Sequence, residues 1–385
     1  MPSDHARLAP SAAERWIHCP GSVRISEDLP EPQSSSYADE GTLAHSVAEL
    51  KLRLMTGEIS RQKYGAQLRR LQQSEYWCGE LSECTDSYRD IVQEHLFEYG
   101  PNAELLVEQR YSLEPWVPGG FGTSDAVILG DDTIEVIDLK YGKGIKVEAL
   151  ANPQLRLYGL GAAVLLGDLY DFTTVRMTII QPRLDHISVE EMLLTDLYAW
   201  AETVVKPAAQ EATDPEAEPR TACGDWCRWC PAKAICRTRA EKQLELAAYD
   251  FTPPALLQPG EIGDVLARAE ELQKWVSDLQ DYALQSALGG QHYDGWKLVE
   301  GRSVRKYADD LKVAEALQAA GFDEAVLYEK RLLGLTAMEK LVGKKKLADT
   351  LGDLIVKPAG KPVLVPETDK REAINNIEGA RADFA

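Results

Sequence analysis

Asp125, Asp138 and Lys140 are residues whose types and spacing could do chemistry together. They lie in FGTSDAVILGDDTIEVIDLKYGKG, Phe121 to Gly144. Two runs rich in Val, Ile and Thr flank Asp131-Asp132, which is the pattern of a β-hairpin. Side chains alternate faces along a strand, so Ile134, Val136, Asp138 and Lys140 share one face. A two-residue turn at Asp131-Asp132 pairs Gly130 with Thr133 and sets Asp125 opposite Asp138. Opposed Cβ atoms lie about 4.5–5.5 Å apart. Two carboxylates that close repel unless a cation sits between them. A hard divalent metal held by oxygen ligands meets that need, with Lys140 beside it. A three-residue turn would set Asp125 opposite Ile137 and spoil the site.

The seven cysteines are a second source of chemistry. Cys223, Cys227, Cys230 and Cys236 fall in CGDWCRWCPAKAIC; Cys19, Cys78 and Cys84 lie apart. In a cytosolic chain such clustering reads as metal binding before disulfides. Taken alone, the four clustered thiols make a local zinc site about as readily as part of an iron–sulfur site. Cys19, taken alone, is a small buried apolar residue. Cys78 and Cys84 are assigned no function.

The order Asp125, then Asp138-Leu139-Lys140, then Gln154-x-x-x-Tyr158 resembles the RecB-like branch of the PD-(D/E)xK nuclease superfamily. Cys227-x-x-Cys230-x-x-x-x-x-Cys236, with Pro231 after the middle cysteine and a lone Cys19-Pro20 near the start, resembles its iron–sulfur members. The resemblance covers residues 8 to about 240. It implies a metal-dependent DNA nuclease, with exonuclease action in phage or bacterial recombination or end processing. It implies Mg²⁺ or Mn²⁺ held by His45 (in Gly41-x-x-x-His45), Asp125, Asp138 and the Leu139 carbonyl, with Glu108 as a further candidate. Lys140 would orient or deprotonate the attacking water; Gln154 and Tyr158 would orient the substrate phosphate and active-site groups. Cys19, Cys227, Cys230 and Cys236 would hold a 4Fe–4S cluster that fixes a terminal strap. Cys223 departs from the pattern and leaves the fourth ligand open. Implied partners are DNA and a phage recombinase or single-strand annealing protein. Two rival readings are a non-catalytic scaffold for DNA ends or a recombinase partner, and a zinc-ribbon interaction protein.

Charge tempers the nuclease reading. The formal charge is −20, and residues 291–385 carry 16 Lys+Arg against 16 Asp+Glu, so the acidic excess lies in residues 1–290. Phosphate contacts need Lys and Arg, so tight non-specific DNA binding is disfavoured. No apolar run of about 18 residues marks a membrane span. The N-terminus has no apolar signal-peptide core, and a cytoplasmic protein is the default expectation.

The positioning elements follow in order. Ser11 with Glu14 predicts a capped helix to about His18. Residues 26–40 read as a loop, and a helix begins near Gly41 with Leu43, Val47 and Leu50 at core spacing. Residues 60–100 read as helical, and Glu104–Leu113 as a strand. Asn152-Pro153 is a helix start, which puts Gln154 and Tyr158 on one face. Residues 175–182 form a further strand, and Thr195–Ala212 a helix. Strand–helix–strand order gives an α/β (α+β) fold, a mixed sheet flanked by helices. In the family this is the restriction-endonuclease-like core. The domains are expected at 1–245 and 246–385, the second mostly helical. It opens with a packing helix from Pro259 to Gly289-Gly290. A hairpin follows at Trp296–Tyr307, with Lys297, Arg302, Arg305 and Lys306. Helices at 309–320 and 336–351, the latter with Lys344-Lys345-Lys346, lead to an extended tail at 358–385.

Overall fold

The computed structural model describes residues 6–27, 29, 35–167, 169–216, 218–245, 259–297, 299, 312–313, 318–319, 338 and 343–351. The chain divides into two compact units, Met1–Gln285 and Ser286–Ala385. The first holds a five-stranded mixed sheet in the order β1-β2-β3-β4-β5. Its strands are β1 (Glu104–Ser112), β2 (Phe121–Leu129), β3 (Thr133–Leu139), β4 (Thr174–Gln181) and β5 (His186–Leu193). Only β3 and β4 run parallel. Parallel neighbours need a long crossover, and the helix α6 (Pro153–Leu166) supplies it.

Both faces of the sheet are covered, so β2, β3 and β4 are near-continuous apolar runs rather than alternating ones. On one face α6 packs Leu155, Leu157 and Leu160 against Val136, Val175 and Met177. Its glycines set the closeness: a Cβ on Gly161 would stand 2.6 Å from Tyr111 Cβ, and one on Gly159 2.8 Å from Val175 Cγ2. Around α6 lie α1 (Ala13–His18), α7 (Leu194–Trp200) and α8 (Lys206–Thr213). A π-helical turn, Ala201–Val205, joins α7 to α8 and is closed by the Lys206 N–H on the Ala201 carbonyl. Pro207 in the first turn of α8 has no N–H to give an ordinary helical bond. On the other face α3 (Ser36–Met55) and α5 (Gly79–Glu98) bury Ala48, Leu52, Tyr88 and Val92 against Ala126, Ile128, Ile137 and Leu139. The α4 helix (Arg61–Leu71) lies on α3 through Leu68 and Leu71.

The N-terminus differs from expectation. Ser11 sits inside a 3-10 turn, Pro10–Ala12, and no side-chain cap bond closes the start of α1. Pro10 begins the turn one residue too early for the capping box. No strand was expected at His186–Leu193, where β5 forms. After α9 (Arg237–Leu244), α10 (Pro259–Leu288) runs as expected, but its Ile262, Leu266, Val276 and Leu279 are each at least 39 % exposed rather than buried. In the second unit Lys344–Leu351 is helical. Most of the 296–307 hairpin, most of the 309–320 helix, residues 336–342 apart from 338, and the tail at 358–385 lie outside the described residues.

A buried ion pair locks α5 to β3: His95 Nδ1 is 2.9 Å from Glu135 Oε1, and Thr178 donates to the same carboxylate at 2.5 Å. The Glu135 hydrogen bond, working against burial, raises the His95 pKa above 6.5. Burial opposes ionised Glu135, but the His95 and Thr178 hydrogen bonds outweigh it and hold the carboxyl below 4.5. A raised imidazole stabilises fully below its unfolded pKa and loses that as pH climbs through the folded one. A depressed carboxyl stabilises above its unfolded pKa and loses that as pH falls through the folded one. Both contributions are complete between about pH 4.5 and 6.5. Thermal melts across pH are therefore expected to show decline above this window, and His95→Gln to flatten that decline. Removing one partner of a buried pair costs about 3–5 kcal/mol; Arg176 Nε, 3.7 Å from Glu135, should reduce the loss.

Candidate active site

The β2–β3 hairpin has the two-residue turn. The register runs Leu129↔Ile134, Val127↔Val136, Ala126↔Ile137, and Gly130 N–H bonds the Thr133 carbonyl at 2.9 Å. One step further, Asp125 falls beside Asp138. The β1–β2 ladder pairs Val107 with Ala126 and Gln109 with Ser124, so Glu108 falls beside Asp125 on the other side. Three carboxylates thus form a row across three strands. Glu108 has φ 53, a left-handed backbone costly for a side chain with Cβ. Strand alternation changes phase there: Val107 faces the α3/α5 side, whereas Tyr111 and Leu113 face the α6 side.

Close contacts tie the row to its surroundings. His45, on α3, puts Nδ1 2.8 Å from Asp125 Oδ1, and Asp125 Oδ2 accepts the Leu139 N–H at 2.7 Å. Lys140 Nζ is 2.9 Å from Asp138 Oδ2 and donates to Gln154 Oε1 at 2.9 Å. Gln154 Nε2 donates to Asp138 Oδ1 at 3.1 Å and to Tyr158 Oη at 3.0 Å. The structure therefore brings together His45, Asp125, Asp138, Leu139, Lys140, Gln154 and Tyr158, with Glu108 alongside.

The electrostatics follow from crowding of acids in a dry place. Burial, then the Asp125 charge set against Lys140, raises the Asp138 pKa. Burial, then Asp125 and Glu49, lifts Glu108 to about 7. Burial opposes a charged His45, but Asp125 and Asp138 lift it to about 9.

Local sequence explains the positions. Asn152 caps α6 by accepting the N–H groups of Gln154 and Leu155, as Asn-Pro predicts. The link before it is pinned by three side chains: Gln181 takes the Val147 N–H, Ser188 the Ala149 N–H and Glu190 the Ala151 N–H. Two of these come from β5, so the unforeseen strand sets where α6 begins. Tyr111 and Ser124, whose hydroxyls meet beside the row, were also not singled out. They lie on separate strands, so only a correct β1–β2 register would have joined them.

The cysteines form a second locus. Cys19, Cys227, Cys230 and Cys236 line one pocket with Arg15, Lys233 and Arg239. Cys223 is beside Cys227 rather than among the lining residues, and burial pushes its thiol up to about 11. Three protein contacts bring the N-terminal segment to this pocket. His18 stacks on Trp226 with centroids 4.5 Å apart, Gly21 N–H bonds the Arg220 carbonyl at 2.9 Å, and Ala222 N–H points to Cys19 Sγ at 3.4 Å. Asp278 on α10 pairs with Lys233 at 2.8 Å and Arg239 at 2.6 Å. Cys78 and Cys84 are free thiols near α5. Among the described residues, no three His, Cys, Asp or Glu side chains form a ready metal-binding group, and no helix is long and apolar enough to cross a membrane.

In class, this is a mixed α+β protein with a row of crowded acids, a histidine and a lysine where the hairpin meets α6. The chain belongs to the family described as "Protein of unknown function (DUF2800)", whose model matches residues 5–372. A solved structure titled "Crystal structure of SSO0001" aligns with 60 % of this chain and 85 % of its own at 16 % identity, with a TM-score of 0.26. A likeness that slight carries no argument.

Proposed function

We propose that the chain is a metal-dependent DNA nuclease of the RecB-like PD-(D/E)xK type, acting as an exonuclease. The observation that carries this reading is the linked set His45–Asp125 and Asp138–Lys140–Gln154–Tyr158, joined by contacts of 2.8–3.1 Å. The donor set fits a hard divalent cation. Asp138 Oδ2 is buried and has no partner in hydrogen-bond geometry, although Lys140 Nζ stands 2.9 Å away. Three acids in a row also call for positive charge. His45, Asp125, Asp138 and the Leu139 carbonyl would hold Mg²⁺ or Mn²⁺, and Glu108 lies within reach of the same charge.

A bound cation would neutralise the scissile phosphate and lower the pKa of an attacking water. The chain's own groups do the rest. Lys140 Nζ, held by Gln154, orients that water and offsets charge gathering on the phosphate. Gln154 holds the Asp138 carboxylate through Oδ1, and Tyr158 Oη accepts from the same Gln154 amide and fixes it. His45 must give up its proton to act as a ligand, so Mn²⁺ affinity is expected to fall as pH drops below about 9.

Cys19, Cys227, Cys230 and Cys236 would hold a 4Fe–4S cluster with a structural role. Arg15 at the pocket works toward a thiolate at Cys230 against the burial that raises that thiol, while Lys233 and Arg239 are paired with Asp278. The zinc alternative uses Cys223 in place of Cys19. The direct test is digestion of end-labelled linear DNA by purified protein with and without Mn²⁺. Shortening from an end only with metal supports the reading; binding without any cleavage favours the scaffold.

A further inference from the structure

The α4 helix carries Arg61, Lys63, Arg69 and Arg70 and no acidic residue, in a chain of net charge −20. All four are exposed, and among the described residues none makes an ion pair. Ion pairing is the ordinary fate of surface cations in so acidic a protein, and α4 escapes it. Tyr64, Leu68 and Leu71 turn inward at i, i+4 and i+7, so the basic residues are left facing out.

Lys63, Gln67 and Arg70 repeat the same spacing on another side of the helix. They form one wall of a groove of about 590 Å³. The opposite wall is Ser46, Glu49 and Arg53 of α3. Arg53 is held between Glu49 at 2.8 Å and Glu58 at 2.7 Å, which leaves that side one carboxylate in excess, and among the described residues Lys63 and Arg70 are the groove's unpaired cations. Glu49 of the groove wall lies one turn from His45 on α3, and His45 meets Asp125 at 2.8 Å, so groove and row share one side of that helix.

We infer that the α3–α4 groove is the path of one nucleic-acid strand, whose phosphates are met by Lys63 and Arg70 as the strand leads to the Asp125–Asp138 row. This rests on the nuclease reading for what happens at the row, but not for the binding. A groove between two helices suits a single strand's backbone, and Gln67 between the two cations offers both a donor and an acceptor to it. The local cations also answer the objection from net charge: −20 repels DNA in general and leaves one basic lane.

The test compares two double variants of identical charge change in the full-length protein. Lys63→Glu with Arg70→Glu alters the groove; Arg61→Glu with Arg69→Glu alters exposed sites on the same helix that do not line it. Affinity for a fluorescein-labelled single strand is read by anisotropy across a salt series, in an Asp138→Asn background. The groove variant should bind about tenfold more weakly at low salt, with a slope of log affinity against log salt shallower by about 1.4, about 0.7 per lost phosphate contact. The off-groove variant should change far less. With Asp138 restored, the groove variant should raise KM for DNA and leave kcat near wild type. Equal effects from both variants, or an unchanged slope in the groove variant, would overturn the inference. If wild-type protein cleaves nothing with Mn²⁺ while the groove variant still loses binding, the nuclease reading falls and the strand path stands.

Discussion

Asp138→Asn is expected to cut Mn²⁺-dependent DNA cleavage by about 10³-fold or more, while the melting temperature in EDTA holds or rises. The two halves of that result have different causes. Activity falls because an amide is a poor ligand and cannot pair with Lys140. Stability holds because the fold disfavours this ionised carboxyl: burial and the neighbouring Asp125 raise its pKa. Lys140→Ala should lose cleavage to a similar extent and lower the melting temperature. It strips the cation 2.9 Å from a buried carboxylate and the donor to Gln154, a cost of about 1–3 kcal/mol. Opposite stability effects with matching loss of activity separate chemistry from unfolding. Metal-dependent cleavage retained by both variants would remove the catalytic assignment.

Cys19→Ser should abolish bound iron and the brown visible absorption of anaerobically purified protein, and lower its thermal stability; Cys223→Ser should do neither. A ligand held a thousandfold above its dissociation constant adds about 4 kcal/mol to the folded state. Losing the cluster should cost on that order, as Cys19 anchors the segment that packs on Trp226 and Arg220. The reverse pattern, with stoichiometric zinc lost only in Cys223→Ser, would instead establish the local four-cysteine site.

The hairpin was legible because Asp131-Asp132 breaks two apolar runs; of the two registers that pattern allows, the two-residue turn is the one formed, and it fixes Asp125, Asp138 and Lys140 together. Asn152-Pro153 likewise fixed the phase of α6, and so Gln154 and Tyr158. Three features were not legible. β5 alternates Ile187, Val189 and Leu193 outward at the sheet edge, each at least 43 % exposed, so its apolar residues carry no burial signal. The left-handed turn of Glu108 cannot be read from a strand-like run, because the surrounding sheet imposes it. The groove along α4 depends on how two helices lie side by side, while the sequence offers only a basic stretch. The cysteine spacing suggested metal and the resemblance joined Cys19 to Cys227, Cys230 and Cys236; in the folded chain the four line one pocket.

The π-helical turn at Ala201–Val205 has a bearing on the thiol pocket, though it touches no cysteine. One residue advances a helix by about 100°. The wide turn absorbs its extra residue, so the helix beyond it keeps its register, and deleting one residue from 201–205 should close the turn to an ordinary α-helix with Ala208, Ala209 and Ala212 still against the N-terminal helices. The seat of Cys19 is thus buffered against a one-residue change in length far along the chain. The protein shortened by one residue there should melt near wild type, with the acidic row and the first cysteine both in place.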